Sequence, residues 1–77
     1  MAKVSLKILG PNQTEVHLGE KVLFFSYNTV VAVYTRYGEC YRTSHKFSKT
    51  TSKHLNNWCP DKAILVPQET IEQLAEV

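Results

Sequence analysis

Lys21 to Thr35 reads KVLFFSYNTVVAVYT, and the fold turns on how this run divides. Its residues are almost continuously β-branched or aromatic, as in strands buried on most of their surface. The run is too long for one strand of about 5–6 residues, so it must fold back on itself. Asn28-Thr29 is the expected hairpin turn, because Asn tolerates positive φ although Thr does not. Upstream, Lys3 to Leu9 alternates Val4, Leu6 and Ile8 with Lys3, Ser5 and Lys7, the period of a half-buried strand. Gly10-Pro11-Asn12 ends it with turn chemistry, and Thr14 to Leu18 predicts a short second strand that Gly19 breaks. Downstream, Arg36 to Glu39 forms a turn into a strand at Cys40 to Thr43. The result is an antiparallel meander.

Two helices follow from the rest. Thr50, Thr51 or Ser52 can cap a short helix over 51–58, with Leu55 and Trp58 three apart on its buried face, and Pro60 stops it. Ala63 to Val66 is a last strand, edge or central. Pro67 opens a C-terminal helix over 68–76, with Glu69 near its positive end and Ile71, Leu74 and Ala75 at helical spacing. The fold class is α+β: a small, twisted antiparallel sheet of four to six strands, open or closed into a barrel, with those two helices.

A chain of 77 residues predicts one domain, 1–77, near the lower end of what folds on its own core, so a homo-oligomer is expected. A net charge of +2 does not by itself announce a nucleic-acid binder. The distribution says more. From Arg36 to Pro60 five cations face Glu39 alone, whereas from Asp61 to Val77 Lys62 stands against Asp61, Glu69, Glu72 and Glu76. A basic middle and an acidic tail mark a partner surface, or simply attract one another. No apolar run reaches the roughly 18 residues of a membrane span, and the N-terminus has no signal-peptide pattern. No membrane partner and a cytoplasmic location are expected, with Cys40 and Cys59 reduced.

The polar concentration is Tyr41 to Trp58, YRTSHKFSKTTSKHLNNW, with six Ser or Thr, four cations, two histidines and no carboxylate. A helix N-terminus offers N–H groups and partial positive charge to anions. Here Lys46, Lys49 and Lys53 would ring it, with the hydroxyls of Thr50, Thr51 and Ser52 and with Arg42, His45 and His54 nearby. Amines and hydroxyls are the donors that contact phosphates. Without a glycine-rich phosphate loop, the plainer reading, a capped helix with a solvated lysine face, stands beside it. Tyr37 and Tyr41 are the candidate stacking platforms, among Tyr27, Tyr34, Phe47 and Trp58 that could also serve; Phe24, Phe25 and Trp58 are expected in the core. Cys40, His45, His54 and Cys59 are zinc-ligand types, but their x4 spacings lack a C-x2-C knuckle, so no metal and no cofactor are expected. Nothing fixes a Cys–His catalytic geometry, so the reading is non-enzymatic.

The run Tyr41-x-Thr43, then Phe47-Ser48-x-Thr50-Thr51-Ser52-x-His54-x-Asn56-x-Trp58, preceded by Phe25-Ser26-Tyr27 and Val31-Ala32, resembles a family of small bacteriophage and prophage proteins. The likeness runs from about Val22 to the C-terminus. Relatives often carry Trp where Phe47 stands and a glycine near Asn28. The resemblance transfers no catalytic residue. It implies a viral accessory protein in the cytoplasm of a bacterial host, one that counters host defence by blocking a nuclease complex or sequestering a nucleotide signal. The ligand expected at the Arg42–His54 surface, from its amines and hydroxyls, is phosphate-bearing, a nucleotide or nucleic acid. The alternatives are an inhibitor docking on a host protein, or a structural, oligomer-forming module.

Overall fold

In the computed structural model, which describes residues 4–35, 37–59 and 62–75, the chain runs β1 (Val4–Gly10), β2 (Gln13–Leu18), β3 (Lys21–Ser26), β4 (Thr29–Tyr34), β5 (Cys40–Thr43), α1 (Lys49–Trp58), β6 (Ile64–Val66) and α2 (Gln68–Ala75). The strands form one sheet in sequence order. Two-residue turns set the register of the first four. Pro11-Asn12 closes β1 on β2, with proline fixing one φ and Asn12 taking the left-handed φ of 61°. Gly19 supplies the same freedom between β2 and β3, at φ 58°.

The third turn departs from expectation. Ser26 pairs with Thr29, so the turn is Tyr27-Asn28 rather than Asn28-Thr29, and Tyr27, not Asn28, takes the positive φ of 58°. Two features hold it there. The Tyr27 N–H donates to the Asn12 carbonyl at 2.7 Å, fixing two turns side by side. The register also shifts between Phe24 and Phe25, pairing Phe24 with Ala32 and Phe25 with Val30. Val31 is thereby an extra residue in β4, a bulge that sends Val31 and Ala32 into the same core.

β6 corrects the all-antiparallel expectation, since it pairs parallel to β5. A parallel neighbour needs a long crossover, and α1 is that connection. β1 and β6 are the two ends of an open sheet, so no barrel forms. Each helix covers one face. Under α1 lie Phe24, Val31, Ala32, Cys40, Leu55 and Cys59, with half-buried Trp58 stacked on Phe24 at 4.8 Å between centroids and 11° between planes. Burying Phe24 contributes about 1.5–3 kcal/mol. Under α2, Leu23, Val33 and Ile71 form a second core, flanked by Phe25, Tyr41 and Leu74. Phe25, expected in the core, is half-buried on this α2 side. Gln68 ties α2 to the sheet by donating from Nε2 to the Val30 carbonyl at 2.9 Å. Glu76, expected in the second helix, lies outside the described residues. Among the described residues no helix is long and apolar enough to cross a membrane.

Candidate functional site

α1 starts two residues earlier than the spacing predicts, and its cap is Ser48 rather than Thr50, Thr51 or Ser52. Ser48 is extended, at φ −162° and ψ 167°, and its Oγ accepts from the Thr51 N–H at 3.1 Å. Its hydroxyl donates to Thr51 Oγ1 at 3.2 Å. Thr51 in turn meets Ser26 Oγ at 3.1 Å, and Ser26 Oγ meets His54 Nδ1 at 2.9 Å. Thr51 and His54 are three apart, so both point down from one helix face onto the end of β3. One assignment gives each of the three hydroxyl protons an acceptor: Ser48 donates to Thr51, Thr51 to Ser26, and Ser26 to His54 Nδ1, which leaves the imidazole proton on Nε2. Ser26 is 2% exposed, Thr51 4% and His54 8%. This chain satisfies buried polar groups beneath the helix, and it turns Thr51 and the Nδ1 side of His54, both expected at the phosphate site, inward onto Ser26.

The lysines lie outside. Lys46, Lys49, Ser52 and Lys53 line one cleft together with Phe47 and Asn56, and no carboxylate joins them. A second cleft behind the Lys49–Lys53 ridge holds Thr50, His54, Asn57 and Gln13. Lys49 and Lys53, at i and i+4 on one helix face, line both clefts. Arg42 reaches the helix rather than the cleft: its Nη1 donates to Asn56 Oδ1 at 3.2 Å, and its buried Nε has no hydrogen-bond partner. His45 packs edge-on against Phe47 at 4.4 Å, and its backbone N–H donates to Thr43 Oγ1.

The two stacking candidates are not brought to the lysines. Tyr41 alternates with Arg42 on β5 and therefore faces α2, where its hydroxyl donates to Glu39 at 3.2 Å. Tyr37 is 77% exposed, but it lines a different cleft with Leu18, Lys21 and Leu74 beside the end of α2. The aromatic that does sit among the lysines is Phe47, 41% exposed. Its signal was adjacency, Lys46-Phe47-Ser48, in a segment too irregular to give a side-chain direction. In the sequence Ser26 stands in the Phe25-Ser26-Tyr27 motif without a role in the site, because a lone serine ending an apolar strand reads as a turn residue.

The far end of α1 is held by charge and sulfur. Trp58 Nε1 donates to Glu15 Oε2 at 2.7 Å, and Glu15 Oε1 lies 2.9 Å from His17 Nε2. Burial pushes the Glu15 carboxyl up, but hydrogen bonds from Trp58 and His17 and the charges of His17 and Lys7 outweigh it, so its pKa falls below the ordinary range. Cys40 and Cys59 are free, buried thiols side by side. Hydrogen bonding between them lowers the Cys40 pKa and raises that of Cys59. Among the described residues, no three His, Cys, Asp or Glu side chains group as metal ligands.

A model of DUF8033, a family of unknown function, matches residues 4–73. No curated protein matches the chain, and no solved structure does.

Proposed function

The chain belongs to this family of unknown function, which passes on no activity, and we propose from the geometry of the site that it is a non-enzymatic module binding a phosphate-bearing ligand along α1. The observation that carries the reading is the cleft lined by Lys46, Lys49, Ser52, Lys53 and Asn56 without a single carboxylate. Three ammonium groups supply point charges for phosphate oxygens, while the Ser52 hydroxyl and Asn56 amide add directional donors. Phe47 offers a π-face to a base at the same cleft. The Thr51 hydroxyl takes no part, since it is buried in the relay, and that of Ser48, which also lines the cleft, is engaged with Thr51.

The phage origin, bacterial cytoplasm and counter-defence role implied by the resemblance belong to the same proposal: a small cationic cleft suits a nucleotide signal or a single strand. Fluorescence anisotropy with a labelled single-stranded oligonucleotide and with a labelled mononucleotide tests it. Lys53→Glu is expected to weaken binding about tenfold or more, each tenfold being about 1.4 kcal/mol. Equal affinity for wild type and Lys53→Glu, or no binding of either ligand, would leave α1 as a capped scaffold. The exposure of Tyr34 and Tyr37 favours the second reading, an inhibitor docking on a host protein, and truncating those tyrosines is the contrast: it leaves phosphate binding unchanged under the first reading.

A further inference from the structure

The sheet has two edges of different character. β6 is three residues long, a length that protects an edge by offering little to pair with. β1 is seven residues long, regular over Val4–Ile8 before its register shifts, and among the described residues no strand lies beyond it. It has no proline, and its charged residue, Lys7, sits across from Glu15 on the α1 face. Residues opposite one another in register share a face, so Leu6, Val16, Leu23 and Val33 form one row on the α2 side. α2 covers Leu23 and Val33, but Leu6 and Ile8 remain 69% and 80% exposed. With Thr14, Val16 and Phe25 they make an apolar surface without one charge.

We propose that β1 is a dimerisation edge, pairing antiparallel with β1 of a second copy of this chain about a two-fold axis through Leu6. The strand's own pattern selects this occupant and this register. A two-fold perpendicular to the sheet keeps faces together, so the uncharged α2-side patch of one copy meets the same patch of the other, with Leu6 opposite Leu6 and Ile8 opposite Val4. Lys7 then meets the partner's Ser5. A two-fold through Lys7 would set two lysines directly opposite, which destabilises a sheet. The pairing also gives partners to the outward backbone groups of the regular stretch Val4–Ile8 in both copies and places both α1 helices on one side of a continuous sheet. Two strands and a few side chains make an interface smaller than the roughly 1,200 Å² of stable complexes, so the dimer is concentration-dependent.

Light scattering on the full chain from low micromolar to about 1 mM covers the range in which such contacts associate. The mass is expected to rise from 8.8 kDa towards twice that value. Leu6→Lys and Ile8→Lys hold it at the monomer, and Leu65→Lys on the other edge does not. Register is read separately by air oxidation of Leu6→Cys, a variant that keeps the strand uncharged. Directly opposed Cα atoms are about 4.5–5.5 Å apart, within disulfide reach, so Leu6→Cys forms a covalent dimer and Ser5→Cys does not. A wild-type mass of one chain at every concentration, a dimer that survives Leu6→Lys and Ile8→Lys, or cross-linking through Ser5→Cys instead of Leu6→Cys would overturn the proposal.

Discussion

At the scale of single residues, the hydroxyls of the Ser/Thr-rich segment separate into two jobs. Thr51 is part of the buried relay to Ser26 and His54, whereas Ser52, one residue on, lines the lysine cleft. Thr51→Val removes the relay's middle oxygen at almost constant volume and leaves Ser26 and Ser48 each short of a partner. A loss of about 1–2 kcal/mol in urea unfolding is expected, with ligand affinity unchanged; unchanged stability would contradict the relay. Glu15 gives a pH-dependent counterpart. Its folded pKa is depressed, so its stabilisation is fully present above the unfolded carboxyl pKa and is lost as pH falls through the folded one. Glu15→Gln is expected to flatten the acid limb of a stability-against-pH curve, while also weakening the hydrogen bond from Trp58. An acid limb identical to that of the wild type would remove Glu15 from the account.

At the scale of elements, the hairpin between β3 and β4 carries strain at Tyr27, since a side chain in the left-handed region costs about 1–2 kcal/mol. Tyr27→Gly is expected to stabilise by about 1 kcal/mol and Tyr27→Val to destabilise, because a β-branched residue fits that region worst; calorimetric midpoints moving in the reverse order would contradict this. The same turn shows where sequence pattern stops being informative. The apolar run announces two strands, and the alternation of Val4, Leu6 and Ile8 announces β1, because burial imposes a period of two. Which residue takes the positive φ depends instead on a bulge at Val31 and a bond from Tyr27 to Asn12, contacts between segments that no local preference encodes. The cap of α1 has a similar cause. Four hydroxyl residues in succession after Phe47, interrupted only by Lys49, all qualify as N-caps, and the choice of Ser48 follows from Thr51 being needed against Ser26. For the site, the lysines were legible as a group because helical spacing places Lys49 and Lys53 together. Tyr41, close to Arg42 in sequence, does not join them, because strand alternation sends it to the other face from Arg42.

At the scale of the whole molecule, the two faces of the sheet divide the work. The α1 face presents cations over a core sealed by Phe24 and Trp58. The other face is only partly roofed by α2, leaving the β1 end apolar and open. Pairing of two copies through β1 would set both lysine clefts on one side of a longer sheet, doubling the cationic surface offered to an extended polyanion. The central claim is that the three lysines of the α1 cleft neutralise phosphates, and its most direct test is the salt dependence of oligonucleotide affinity, in wild type and in Lys49→Glu/Lys53→Glu. Single strands release about 0.7 counterions per phosphate neutralised, so three lysines give a slope of about −2 in log affinity against log salt. The account predicts that slope for the wild type and a near-flat line for the double variant; a flat wild-type line, or the same slope in both, would contradict it.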